Sequence, residues 1–193
     1  MIINHHRYCL QQLQMCLDIP GDVLECGIGR GNNSLQMGAW LRDFGSHKNV
    51  YACDTFDGLP YTDEETSHIK SDLKKGECIH RTFPEFVEEI EKQKLAGWVT
   101  PIEGLIEETL DSCLGNKTFC FAWLDVDLYY PTDYAWKWLQ DKMPVGAVIG
   151  IHDYKYWRCP GIQQFVEKEI TKFAGKWDIT YLKGTSIFFK RII

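Results

Sequence analysis

The sequence predicts an α/β domain built on a mostly parallel seven-stranded sheet with an antiparallel hairpin at its end. Three observations carry this expectation. Short apolar runs alternate with stretches of helical periodicity along most of the chain. The last two apolar runs are separated only by a short turn containing Lys183-Gly184. One charged segment, residues 60–97, breaks the alternation. Alternating strands and helices imply right-handed crossovers and a parallel sheet covered on both faces. Two strands joined by a glycine-containing turn imply a hairpin, so one of its arms runs against the rest.

Each element has its own signal. Residues 4–18 place Cys9, Leu10, Leu13 and Leu17 at helical spacing, and Pro20-Gly21 ends that helix. VLEC (23–26) is a short strand leading into a glycine-rich turn, and residues 33–44 form the next helix, with Leu35, Met37 and Leu41 on its apolar side. NVYAC (49–53), WVTPI (98–102), TFCFAWL (118–124) and VGAVIGI (145–151) supply four further strands. Helices are expected at 104–114, 131–142 and 160–174, and the hairpin is formed by WDITYL and TSIFFKRI. Residues 60–97 contain two helical patterns with no strand between them, which predicts a helical lid over the carboxyl edge of the sheet.

Composition narrows the function classes. The 193 residues fit a single domain, with 45% hydrophobic and 25% charged residues, so most of the chain is expected to fold. A net charge of −6 argues against a general nucleic-acid backbone binder. No apolar run is long enough to span a bilayer, and the first residues lack a signal-peptide pattern, which predicts a cytoplasmic protein. None of the eight cysteines forms a C-x-x-C pair, which argues for reduced thiols rather than a zinc ribbon.

Two segments carry chemistry. In GDVLECGIGRGNNS, a strand ends at Cys26 and Gly27, Gly29 and Gly31 form the turn into a helix. Such a turn lets a ligand approach the backbone and the amides of the helix start. The dinucleotide pattern G-x-G-x-x-G needs glycine where Asn32 stands, and no G-K-[ST] follows for a P-loop. Glu25, at the strand end, suits an ammonium group better than a pyrophosphate. The next strand ends at Asp54, placed to accept hydrogen bonds from a ribose. In the second segment, FCFAWL runs into Asp125-Val126-Asp127, and the following strand ends in His152-Asp153. Extended backbone would point Asp125 and Asp127 to one side. If the two strands are neighbours, Asp125 and Asp153 share a rim where oxygen donors and one imidazole suit magnesium, calcium or manganese.

The segments GDVLECGIGRGNNS, VYACDTFDGLP, FAWLDVDLYYPT and VGAVIGIHDY…CPGIQQFVEKE resemble the macrocin O-methyltransferase (TylF/MycF-like) family of class I S-adenosylmethionine-dependent methyltransferases. The resemblance implies a Rossmann-like fold and transfer of a methyl group to a sugar hydroxyl with divalent-metal assistance. It implies that Glu25, Gly27, Gly29 and Gly31 bind the amino-acid part of S-adenosylmethionine and that Asp54 binds its ribose. Metal ligands would be Asp125, His152 and Asp153, with magnesium the expected ion, and Asp127 would be the general base. His152 departs from the family's Asp-Asp pair. The implied partner is a sugar-bearing small molecule or glycan. The chain is short for this family, which implies that N-terminal elements used for substrate binding or oligomerisation are missing or that it is the catalytic part of a longer polypeptide; a homo-oligomer is the other expected partner state. The D-x-D segment and acidic pair would equally serve a catechol-type O-methyltransferase, and a nicotinamide-dependent enzyme or a non-catalytic nucleotide- or glycan-binding module are the remaining alternatives.

Overall fold

The computed structural model describes residues 5–168, 172 and 175–193. Its elements follow the order α1 (His5–Met15), β1 (Asp22–Cys26), α2 (Asn32–Asp43), β2 (Val50–Asp54), α3 (Asp63–Ser67), α4 (Phe83–Lys92), β3 (Val99–Glu103), α5 (Ile106–Leu114), β4 (Phe119–Leu124), α6 (Tyr129–Leu139), β5 (Val148–Ile151), α7 (Pro160–Lys168), β6 (Trp177–Lys183) and β7 (Ser186–Arg191). The expected helix over 160–174 is seen as α7. Residues 169–171, 173 and 174, and residue 4 of the first expected helix, lie outside the described residues.

The strands form one seven-stranded sheet in the order β3-β2-β1-β4-β5-β7-β6. Strand β7 runs antiparallel to both of its neighbours, β5 and β6, and the other pairings are parallel. The order reverses between β1 and β4, and ligand crevices of open α/β sheets form at such a reversal.

Apolar side chains cover both faces. One cluster holds Leu24, Leu124, Trp136, Phe165 and Phe189 beneath α5, α6 and α7. The other holds Leu13, Met37, Phe86, Trp123 and Phe188 beneath α1, α2 and α4. Strand β4 is buried along its whole length. Its two-residue alternation slips once, where Cys120 and Phe121 both join the second cluster. A register shift opposite Asp22 and Val23 absorbs the extra residue.

The 60–97 segment has two separate roles. Helix α3 begins with a capping box, in which Thr62 N donates to Glu65 at 2.8 Å and Glu65 N donates to Thr62 Oγ1 at 3.3 Å. Its buried Asp63 accepts a 2.7 Å hydrogen bond from Tyr129 N, which ties the segment to the start of α6. Burial raises the Asp63 carboxyl to about 6. Helix α4 does not cover the sheet's edge. Its Phe86 and Ile90 enter the second core cluster, and only residues before it, such as Tyr61, Cys78 and His80, border the crevice.

Candidate active site

The site follows from strand register. Cys53, Cys26, Leu124 and Ile151 lie on one row across β2, β1, β4 and β5. The residues that come next are Asp54, Gly27, Asp125 and His152. Three backbone hydrogen bonds extend the ladder past the strand ends: Gly27 N to Cys53 O at 2.8 Å, Asp125 N to Cys26 O at 2.8 Å and His152 N to Leu124 O at 2.9 Å. Segments distant in sequence therefore meet at one carboxyl edge, around a cavity of about 380 Å³.

Glu25, Gly27, Gly29, Asp54, Asp125, Asp127, His152 and Asp153 all line this cavity. Gly31 is the exception. It is the N-cap of α2 at φ 77°, and a Cβ there would run into the Phe86 ring. Its place is in the packing between the turn and α4.

The glycine turn is shaped by acids on either side. Asp54 Oδ2 accepts hydrogen bonds from Ile28 N at 2.7 Å and Gly29 N at 3.3 Å. Its Oδ1 accepts from Phe56 N at 2.9 Å. A carboxylate offers about four lone-pair sites, so a ribose hydroxyl would share Asp54 with this backbone.

Glu25 is 1% exposed, and its carboxylate accepts from Asn33 Nδ2 at 3.0 Å and from Ser34 Oγ, both at the start of α2. Burial raises its pKa to about 8 against the lowering effect of those two donors, and the Asp125 and Asp54 charges add to the rise. An unfolded chain loses this proton near 4.5. Between that pH and about 8 the folded state binds more protons than the unfolded one, so this group's stabilising contribution falls as pH rises. Glu25→Gln is therefore expected to be more stable than wild type at pH 9, by a few kcal/mol at most, with the difference shrinking toward pH 5. Urea unfolding of both proteins across that range checks it, and a pH-independent difference would contradict the assignment.

The acidic cluster sits on the other side of the reversal point. His152 Nδ1 lies 2.8 Å from Asp125 Oδ1 and 3.2 Å from Asp153 Oδ1. Burial alone would lower the imidazole, but Asp125, through charge and hydrogen bond, and Asp153 prevail and hold it near 11. Asp153 is pushed up by burial and pulled further down by His152, Asp127 and Cys159, ending below its usual range. Asp127 is raised well above its usual range by burial, then by the charges of Asp125 and Asp153. Two sets of ligand-type atoms lie within 4.8 Å of one another: Asp125, His152 and Asp153, and Asp127, Asp153 and Cys159.

The extended backbone expected for Asp125-Val126-Asp127 is not what places these acids. The strand ends at Leu124, and Asp127 has φ 62°, as Asp153 has φ 57°. Left-handed backbone is uncommon outside glycine and concentrates at functional sites. It turns the Asp127 carboxylate toward Asp153 and Cys159, whose Sγ lies 3.7 Å from Asp127 Oδ1.

Several lining residues carried no recognisable signal in the sequence. Past β3 the wall is Leu105, Ile106 and Glu107. Past β4 it is Leu128 and Pro131, while Tyr130 packs its ring 5.9 Å from that of Tyr61. Cys78 and Cys159 border the acids, although nothing in their spacing marks them.

With this geometry in hand, known proteins provide a direct comparison. The family model described as macrocin-O-methyltransferase (TylF) matches residues 2–191. This chain belongs to that family. It is accordingly an S-adenosylmethionine-dependent O-methyltransferase. It is 24% identical over 196 residues to the 8-demethyl-8-(2,3-dimethoxy-alpha-L-rhamnosyl)-tetracenomycin-C 4'-O-methyltransferase of Streptomyces olivaceus, a match covering 94% of this chain and 72% of the relative. It is 23% identical over 199 residues to the demethyldecarbamoylnovobiocin O-methyltransferase of Streptomyces niveus, with the same coverage. The solved structure of CalS11, a calicheamicin methyltransferase, superposes with a TM-score of 0.82 over 96% of this chain and 78% of that one, at 16% identity. That likeness establishes the Rossmann-like methyltransferase fold. No helix among the described residues is long and apolar enough to cross a membrane.

Proposed function

We propose that this family member methylates a sugar hydroxyl of a glycosylated small molecule or glycan. Asp127 takes the hydroxyl proton, and Asp125, His152 and Asp153 hold a divalent metal beside it. The observation that carries the proposal is the position of Asp127. It faces the cavity lined by the glycine turn, and its neighbours are the three residues able to bind a cation. The name of the Streptomyces olivaceus relative, a 4'-O-methyltransferase of a rhamnosyl tetracenomycin, supports a sugar acceptor.

The cofactor's residues follow from the same walls. Gly27 and Gly29, both at positive φ, let the amino-acid portion of S-adenosylmethionine lie against the backbone. Gly31 contributes through the shape of the turn. Glu25 lies behind the turn, where an ammonium would compensate a carboxylate that burial otherwise keeps protonated. Asp54 holds Ile28 and Gly29 in place and accepts from the ribose with its remaining lone pairs. S-adenosylmethionine supplies a sulfonium methyl open to in-line attack by an oxygen nucleophile.

A sugar hydroxyl is a poor nucleophile at neutral pH, and the rest of the site answers that. Asp127 combines burial with two neighbouring carboxylates, which raise its proton affinity, and a cation held by Asp125, His152 and Asp153 would offset those charges and leave it free to accept the hydroxyl proton. The donors of Asp125, His152 and Asp153 fit a divalent ion in type and spacing. Bound there, the metal would lower the pKa of a coordinated hydroxyl. Pro60, Tyr61, Cys78 and His80 wall the cavity from the insertion and act as its lid, limiting water at the reacting oxygen.

Acceptor choice tests the proposal. The enzyme is incubated with labelled S-adenosylmethionine and either rhamnose-bearing glycosides or catechols, with and without excess EDTA. The expected product carries the label on a sugar oxygen, is lost in EDTA and returns with divalent ion. Label on catechols alone would favour a phenol acceptor. Full activity in EDTA would remove the metal from the reaction.

A further inference from the structure

The proposed metal position differs from an all-oxygen one by a single donor, and that donor is a nitrogen. His152 Nδ1 lies 2.8 Å from Asp125 Oδ1 and 3.2 Å from Asp153 Oδ1. Two ligands bound at right angles to one ion, with bonds of about 2.1 Å, lie about 3 Å apart. With Nδ1 protonated these contacts are a hydrogen bond and an ion pair, and both separations also match the edge of such a shell, so a cation would displace the Nδ1 proton without moving the three groups apart.

The ring is also held from its far side. Thr185 Oγ1, in the turn between β6 and β7, lies 3.4 Å from His152 Nε2. Tyr154 N donates to Thr185 O at 2.9 Å, which fastens this turn to the residues that follow β5. The Trp123 ring packs against the imidazole at a centroid distance of 5.7 Å. An imidazole engaged at one nitrogen presents the other in a fixed direction, as metal-binding histidines do.

Donor type discriminates between ions. Mg²⁺ is hard, keeps its waters and favours carboxylate oxygens. Imidazole suits divalent ions of the first transition row, whose affinity for nitrogen donors rises from manganese toward copper. The sulfur of Cys159, 3.6 Å from Asp153 Oδ2, places a second soft atom beside the shared carboxylate. We infer that this site selects a first-row transition ion over Mg²⁺, with His152 Nδ1 as a direct ligand. The inference rests on the metal reading of the proposed function and replaces the magnesium expected from the sequence.

The test uses the full chain loaded with S-adenosylhomocysteine, stripped with EDTA and dialysed. It is titrated calorimetrically with Co²⁺ and, separately, with Mg²⁺, and visible absorption is recorded in the Co²⁺ arm. Co²⁺ is expected to bind at least about tenfold more tightly than Mg²⁺ and to develop ligand-field bands. His152→Asp makes the ligand set all-oxygen and is expected to bring the two affinities to within about threefold. Retained S-adenosylhomocysteine binding shows that this variant is folded, and the wild-type comparison stands without it. Mg²⁺ binding as tight as Co²⁺ in the wild type would overturn the inference and leave the metal reading standing. A selectivity unchanged in folded His152→Asp would overturn it as well. Binding of neither ion would overturn both.

Discussion

Asp127→Asn is expected to lower turnover by about a hundred- to ten-thousand-fold while leaving S-adenosylhomocysteine affinity unchanged. The substitution is chosen for its shape and backbone. Asp127 sits at φ 62°, and asparagine is among the few residues that adopt left-handed backbone readily. The side chain keeps its size beside Cys159 and Asp153. What it loses is the ability to accept a proton. In wild type burial and the charges of Asp125 and Asp153 raise its proton affinity, which a cation at the neighbouring ligands would offset. Steady-state kinetics with a glycoside acceptor, alongside calorimetry with S-adenosylhomocysteine, separates the two effects. Unchanged turnover would take Asp127 out of the chemistry, and lost cofactor binding would make its role structural.

Gly27→Ala is the second large effect. Gly27 has φ +80°, and a Cβ there would fall on the carbonyl of Asp125, well inside van der Waals contact. The turn after β1 and the end of β4 approach so closely because Asp125 N donates to Cys26 O at 2.8 Å. Relief would require the two strand ends to part, which separates the glycine turn from the acidic cluster. The expected cost is about 2 kcal/mol or more, together with weakened S-adenosylhomocysteine binding. Gly45→Ala is the matched control. It has φ +64° but nothing within 4 Å of an added Cβ, so only the backbone preference, about 1 kcal/mol, applies. Urea unfolding of the two variants measures the difference. Equal losses would mean that the contact between the strand ends does not constrain the site.

Much of this arrangement is readable from the chain because hydrogen-bond register converts sequence position into place. Once β1, β2, β4 and β5 are recognised as neighbours, the residues after Cys26, Cys53, Leu124 and Ile151 must share one edge. What periodicity does not encode is the backbone beyond a strand end. Asp127 and Asp153 are turned by left-handed conformations, which no alternation pattern anticipates. The partners of Glu25 were hidden for a different reason. Asn33 and Ser34 read as ordinary helix-start residues, and only the tight glycine turn between β1 and α2 brings them back to a buried carboxylate. The insertion divided for a third reason. Phe83 and Phe86 belong with Phe56, at ring distances of 5.2 and 5.9 Å, which draws α4 down onto the sheet and leaves the residues before it at the cavity.

One measurement bears most directly on whether the glycine turn and the acids form a single site: calorimetric titration with S-adenosylhomocysteine of wild type, Asp127→Asn and Asp54→Ala. Asp54 holds the amides of Ile28 and Gly29 and faces the cavity. Wild type and Asp127→Asn are expected to bind alike, and Asp54→Ala at least about tenfold more weakly, as loss of charge-assisted hydrogen bonds implies. Undiminished binding by Asp54→Ala would contradict the assignment and place the cofactor away from the glycine turn.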